Sequence, residues 1–128
     1  PLYSSAASDV YKRQGIDRVD FIKMDVEGAE LEVLKGAVRL LERRPRPVWM
    51  AEVQDIRTEP WGYRAVEIYD FLKSRHYRWF SIEQAGNLLP CPGPDRYRWD
   101  NLVAIPVERL AEFGTLIEGG KEIIRATG

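Results

Sequence analysis

Three carboxylates fall within six residues in Asp25-Val26-Glu27-Gly28-Ala29-Glu30, directly after the apolar run from Val19 to Met24. A strand that ends this way is either capping the next helix or placing an active site. Ligands of open parallel sheets bind outside the carboxyl ends of the strands. Asp25 and Glu27 stand where the first run meets the next segment, and Glu52 lies near the end of a second run, Pro47 to Val53. If the two runs are parallel neighbours, the three acids share that edge. The same residues also have structural uses. Asp25 can accept backbone N–H groups as a cap. Glu27 and Glu30 suit the positive pole of a helix by roughly 0.3–1 kcal/mol each, and Gly28 permits an unusual backbone angle. Oxygen ligands such as Asp25 with Glu27 or Glu52 also suit magnesium or calcium. Spacing alone does not separate these uses.

The elements that must position the acids follow from periodicity. Val19 to Met24 is short, β-prone and ends in charge, as a buried parallel strand does. From Glu30, Leu31, Leu34, Val38 and Leu41 recur at helical intervals, widened by Val33 and Ala37. Arg43 and Arg44 suit the negative pole of that helix, and Pro45 and Pro47 stop it. After the second strand, a polar loop with Pro60, Trp61 and Gly62 leads into a helix from about Arg64 to Arg75, with Val66, Tyr69 and Leu72 on its apolar face. Tyr77 to Ile82 reads as a third strand. In "NLLPCPGPDRYRW" three prolines and a glycine argue against regular structure. Asp100 to Pro106 is a fourth strand, and Val107 to Phe113 a closing helix begun after a proline. This alternation predicts an α/β sheet, mostly parallel. Only the last pair of strands, joined by an irregular loop, is expected to run antiparallel.

Composition narrows the classes. The chain of 128 residues suffices for one ordinary domain, and with 45% apolar and 30% charged residues it reads as soluble and globular. A net charge of −1 gives no reason to expect nucleic acid or a membrane surface as partner. One cysteine, Cys91, excludes an internal disulfide and a cysteine zinc cage, and one histidine, His76, disfavours a histidine-rich metal site. No apolar run approaches the ~18 residues of a membrane span, and the opening lacks a secretory pattern. A cytoplasmic protein is the default expectation. Residues 1–14, "PLYSSAASDVYKRQ", fit neither the helix nor the strand period and are expected to be a non-native or disordered leader.

The segment "IDRVDFIKMDVEGAELEVLKGA", Ile16 to Ala37, resembles the signature of the FkbM-type methyltransferases, with the core D-V-E-G-x-E-x-x-V-L-x-G. "WMAEV" and "DNLVAIP" resemble that family's downstream strands more weakly, so the likeness runs from about Gly15 to Pro106. The resemblance implies a Rossmann-like class I fold that moves a methyl group from S-adenosylmethionine (SAM) to a small-molecule acceptor, often a hydroxyl of a sugar or natural product. By position it makes Asp25 the leading catalytic or acceptor-orienting residue, with Glu27 and Glu52 as further catalytic candidates. It assigns Lys23 and Asp25 to the cofactor side, and Gly28, Glu30, Glu52 and Asn101 to the acceptor side. An alcohol attacking a sulfonium methyl must lose its proton, and a carboxylate within hydrogen-bond reach can orient the hydroxyl and accept it.

Cofactor binding in such folds depends on a glycine-rich turn after the first strand. None of the ten glycines forms a G-x-G. The chain is therefore expected to match only the C-terminal half of the family domain, strands four to seven over residues 15–128, and to be inactive without the cofactor half. Two other functions remain open: a non-catalytic α/β interaction module using an exposed strand edge, and a divalent-metal phosphotransfer or hydrolase site on Asp25 and Glu27. Among other residues, His76 stands where it would stabilise a helix C-terminus. Tyr77, Trp79, Tyr97 and Trp99 can serve as core or as an aromatic acceptor pocket.

Overall fold

The structure, a computed structural model, describes residues 14–93 and 101–127. All but Gln14 of the expected leader, and also Tyr97, Trp99 and Asp100, lie outside those residues. Five strands form one sheet: β1 (Phe21–Met24), β2 (Val48–Glu52), β3 (Tyr77–Ile82), β4 (Leu88–Pro90) and β5 (Asn101–Pro106), in the spatial order β1-β2-β5-β3-β4. The helices are α1 (Glu30–Gly36), α2 (Val38–Glu42), α3 (Asp55–Thr58), α4 (Val66–Lys73) and α5 (Gly120–Thr127). Two 3-10 segments, Glu59–Trp61 and Val107–Phe113, complete the described elements.

The expectation of a mostly parallel sheet needs correction. Only β1 and β2 pair parallel, while β2–β5, β5–β3 and β3–β4 are antiparallel. β1, β2 and β3 still run one way, as their connecting helices require. β5 lies between β2 and β3 and runs against both. β4 is a second reversed strand, inside the proline-rich stretch read as irregular. The turn Glu83–Asn87 folds it back on β3, with Gly86 at φ 85° and the Glu83 N–H donating to the Asn87 carbonyl at 2.9 Å. Pro90 stands at the end of this strand, where a proline is tolerated.

The helical stripe after Glu30 is real but broken. Ala37 leaves helical geometry at φ −96° and ψ 16°, so α1 and α2 are separate short helices, with Gly36 at the break. Their apolar side and that of α4 cover one face of the sheet. There Leu31, Leu34, Leu41, Ile68 and Leu72 pack on Met24, Trp49, Ala51 and Val53. On the other face Val48, Phe80, Val103 and Ile105 pack against Leu110 and Ile117, with Ile123 and Ile124 of α5 beside them. The closing segment Val107–Phe113 is 3-10 rather than α-helical, and α5 beyond it was not anticipated.

At the N-terminal ends of β2 and β3 the buried Arg46 joins the sheet to the closing segment. Its guanidinium meets Glu108 at 2.7 and 2.6 Å, donates to the Arg75 carbonyl at 2.5 Å, and lies over the Tyr77 ring. Burial alone would raise the Glu108 carboxyl, but the Arg46 hydrogen bonds and the charges of Arg46 and Arg44 outweigh it and hold it at about 2. This stabilisation is full above pH ~4.5 and fades as pH falls towards 2. Glu108→Gln should flatten the loss of stability across that window when denaturant midpoints are compared at successive pH values. An unchanged slope would show that other carboxylates govern acid unfolding.

Candidate functional site

The register decides which acids meet. Met24 pairs with Ala51 across β1 and β2, so the next residues, Asp25 and Glu52, stand level at the carboxyl end of the sheet. Glu52 also pairs with Asn101 across β2 and β5. The pleat adds a second constraint. Trp49, Ala51 and Val53 point into the helix-covered core, so Glu52 alternates to the other face, as Asn101 does relative to Leu102. Asp25, Glu52 and Asn101 therefore form a row across three adjacent strands. Asp25 and Asn101 are exposed, and Glu52 is half-buried and accepts from Gln54 Nε2 at 3.1 Å.

The other acids of the cluster part company. Glu27 is exposed and sits in the left-handed region at φ 49°, followed by Gly28 at φ 105°. This tight turn separates Asp25 from α1, whose N-cap residue is Ala29 with no side-chain cap. Asp25 thus does not cap the helix. Glu30 is 0% exposed and its Oε2 accepts the Gly28 N–H at 2.9 Å. Burial pushes the Glu30 carboxyl up, backbone N–H groups including that of Gly28 pull it down, and the charge of Glu52 adds to the rise. Its Oε1 has no hydrogen-bond partner among the described residues. Gly28 is enclosed as well: a Cβ there would lie 2.2 Å from the Arg57 carbonyl oxygen and 2.6 Å from Trp61 Cδ1. Lys23 is exposed on β1, on the same face as the half-exposed Phe21.

The segment after β2, read from sequence only as a polar loop, was the missed part of the site. Trp61 Nε1–H donates to the Glu27 carbonyl at 3.2 Å. Tyr63 Oη–H donates to the Gly28 carbonyl and accepts the Leu31 N–H at 3.4 Å. Burial holds the Tyr63 phenol protonated, with its pKa pushed up to about 12. Trp61-Gly62-Tyr63 carried one local signal, an aromatic on each side of a glycine, but nothing in the spacing said which backbone it would meet.

Other candidates fall elsewhere. Tyr77 and Trp79 are 1% and 2% exposed, and Trp79 stacks on Tyr69 at 5.9 Å; both are core rather than acceptor pocket. His76 lies just past α4 at φ 61°, its N–H donating to the Lys73 carbonyl at 3.1 Å. A cleft of about 500 Å³ includes Arg44, Arg46, His76 and Glu108, but it opens at the opposite end of the strands. Among the described residues no group of three His, Cys, Asp or Glu side chains could hold a metal ion. No helix among them is long and apolar enough to cross a membrane.

A row of carboxylate, carboxylate and amide at this edge can orient a hydroxyl and take up its proton. Its negative charge also suits a cationic group such as a sulfonium. The family model described as the methyltransferase FkbM domain matches residues 5–79. A curated protein, the methyltransferase sdnD of Sordaria araneosa, is 74% identical over 23 residues, which is 18% of this chain and 9% of that protein. No solved structure matches the chain.

Proposed function

This chain belongs to the FkbM methyltransferase family, and from that premise we propose that it forms the acceptor-side edge of a SAM-dependent O-methyltransferase. The observation that carries the reading is the row Asp25–Glu52–Asn101, which the strand register brings together at the carboxyl end of the sheet. The placement of β5 between β2 and β3 also supports reading the sheet as strands four to seven of a class I methyltransferase domain.

In this reading Asp25 orients the acceptor hydroxyl and receives its proton as the oxygen attacks. Glu52 and Asn101 bind the neighbouring polar groups of the acceptor, a sugar or natural-product alcohol. When bound, SAM supplies an electrophilic methyl group on a cationic sulfur. In the same reading Lys23, exposed on β1, serves the cofactor side, and Glu27, exposed in the turn beyond it, is a further catalytic candidate. The adenosine and aminocarboxypropyl groups would be held elsewhere, in this reading by a glycine-rich turn, and the sequence has no G-x-G.

Calorimetric titration of SAM into the folded chain tests this division. We expect no saturable binding while circular dichroism shows native secondary structure. Saturable binding at about one site per chain would overturn the division and place a complete cofactor site within these residues. A second reading, an interaction module, draws on the exposure of Phe21 and Val26 at the β1 edge; it requires neither Asp25 nor Glu27.

A further inference from the structure

The Glu27-Gly28 turn holds two successive residues at positive φ, and for Glu27 that conformation costs free energy. Locally the turn is closed by the Ala29 N–H donating to the Val26 carbonyl at 3.3 Å, and the helix that follows starts without a side-chain cap. Further groups that hold the turn come from 34 and 35 residues away, where Trp61 donates to the Glu27 carbonyl and Tyr63 to the Gly28 carbonyl. The fit is close enough that the Arg57 carbonyl and the Trp61 ring occupy the space a Cβ on Gly28 would need. From the other side Glu30 takes the Gly28 N–H, so both backbone polar groups of Gly28 are engaged by side chains.

We propose that Trp61 and Tyr63 are positioning residues for the reaction: from the segment after β2 they fix the Glu27-Gly28 backbone, and through it the place of Asp25. This rests on the methyl-transfer reading of the Asp25 edge. Neither residue needs to touch acceptor or SAM for the role. Trp61 is 54% exposed yet its indole N–H is spent on a backbone carbonyl, which is the arrangement of a clamp rather than of a core aromatic. Tyr63 links the turn to α1 by bonding Gly28 and Leu31 through one hydroxyl. Because the same segment directly follows β2, the turn after Asp25 is tied to the strand that carries Glu52. The two carboxylates of the row are thereby held together by more than strand pairing.

The test uses Trp61→Phe, which keeps a ring but removes the N–H, and Tyr63→Phe, which removes only the hydroxyl. In this chain, amide exchange at Gly28, Ala29 and Leu31 should accelerate roughly 5–10-fold in each variant, with β2 and β5 amides unchanged. In the full-length enzyme that the functional reading requires, turnover should fall roughly 10–100-fold at unchanged acceptor KM and SAM affinity. Unchanged exchange at the turn overturns the clamp. Faster exchange with unaltered turnover overturns the positioning role, because a merely structural contact would give that result. Acceleration throughout the sheet in both variants also overturns it. If the wild-type enzyme transfers no methyl group, the functional reading fails, and the exchange comparison still decides whether the clamp exists.

Discussion

Asp25→Asn should lower methyl-transfer turnover of the full-length enzyme by about 10²–10⁴-fold, the usual contribution of a positioned general base. SAM affinity should stay within a few-fold. The physical basis is a nearly isosteric change at an exposed side chain just beyond β1. The amide still orients a hydroxyl by hydrogen bonding, but it no longer accepts the proton that must leave as the oxygen attacks. Because Asp25 neither caps α1 nor packs in either core, the fold should not register the change. Single-turnover rates and calorimetry on the same preparation separate the two effects. Equal loss of rate and affinity would move Asp25 to the cofactor side, and no loss of either would favour the interaction-module reading.

Gly28→Ala carries the largest expected cost to the fold, roughly 2–4 kcal/mol. Two penalties coincide. The residue sits at φ 105°, where any Cβ is strained, and that Cβ would collide with the Arg57 carbonyl oxygen at 2.2 Å. A backbone oxygen cannot swing aside as a flexible side chain can. Relief therefore requires the segment after β2 to lift away, breaking the Trp61 and Tyr63 contacts with the turn. Denaturant midpoints measure the loss. Gly62→Ala is the control, since Gly62 also has positive φ but open space around its Cβ position; it should cost less by the clash alone. Equal costs for both would mean that the close approach over Gly28 contributes nothing.

Much of this architecture was legible because it is written in short-range patterns. β3 matches its predicted span of Tyr77–Ile82, and β1, β2 and β5 lie within theirs, since alternation and apolar runs are local properties. The meeting of Asp25 with Glu52 also followed from two strands ending in acids. What escaped was set by contacts distant in sequence or by weak local signals. β4 is three residues inside a proline-rich stretch and exists because β3 offers it an edge. The break at Ala37 interrupts an apolar stripe that continues in phase across it, so periodicity could not show it. Glu30 looked like an acceptor contact, yet α1 turns it inward onto Gly28. Trp61 and Tyr63 matter through backbone carbonyls, which carry no sequence identity at all.

The position of β5 has a consequence for how the chain reaches this state. The middle strand of the described sheet is the last in sequence: β2 meets Asn101–Ala104 on one side, and β3 meets Leu102–Pro106 on the other. Until those residues arrive, the β1–β2 pair and the β3–β4 hairpin have no strand between them to join them. Closing the sheet spans a long stretch of chain, so the ordering entropy is met before most pairing energy is gained. Assembly of the described sheet thus waits on its fifth strand rather than proceeding strand by strand. The row Asp25–Glu52–Asn101 comes into being only when that strand docks, so the proposed acceptor edge and the completed sheet form as a single event.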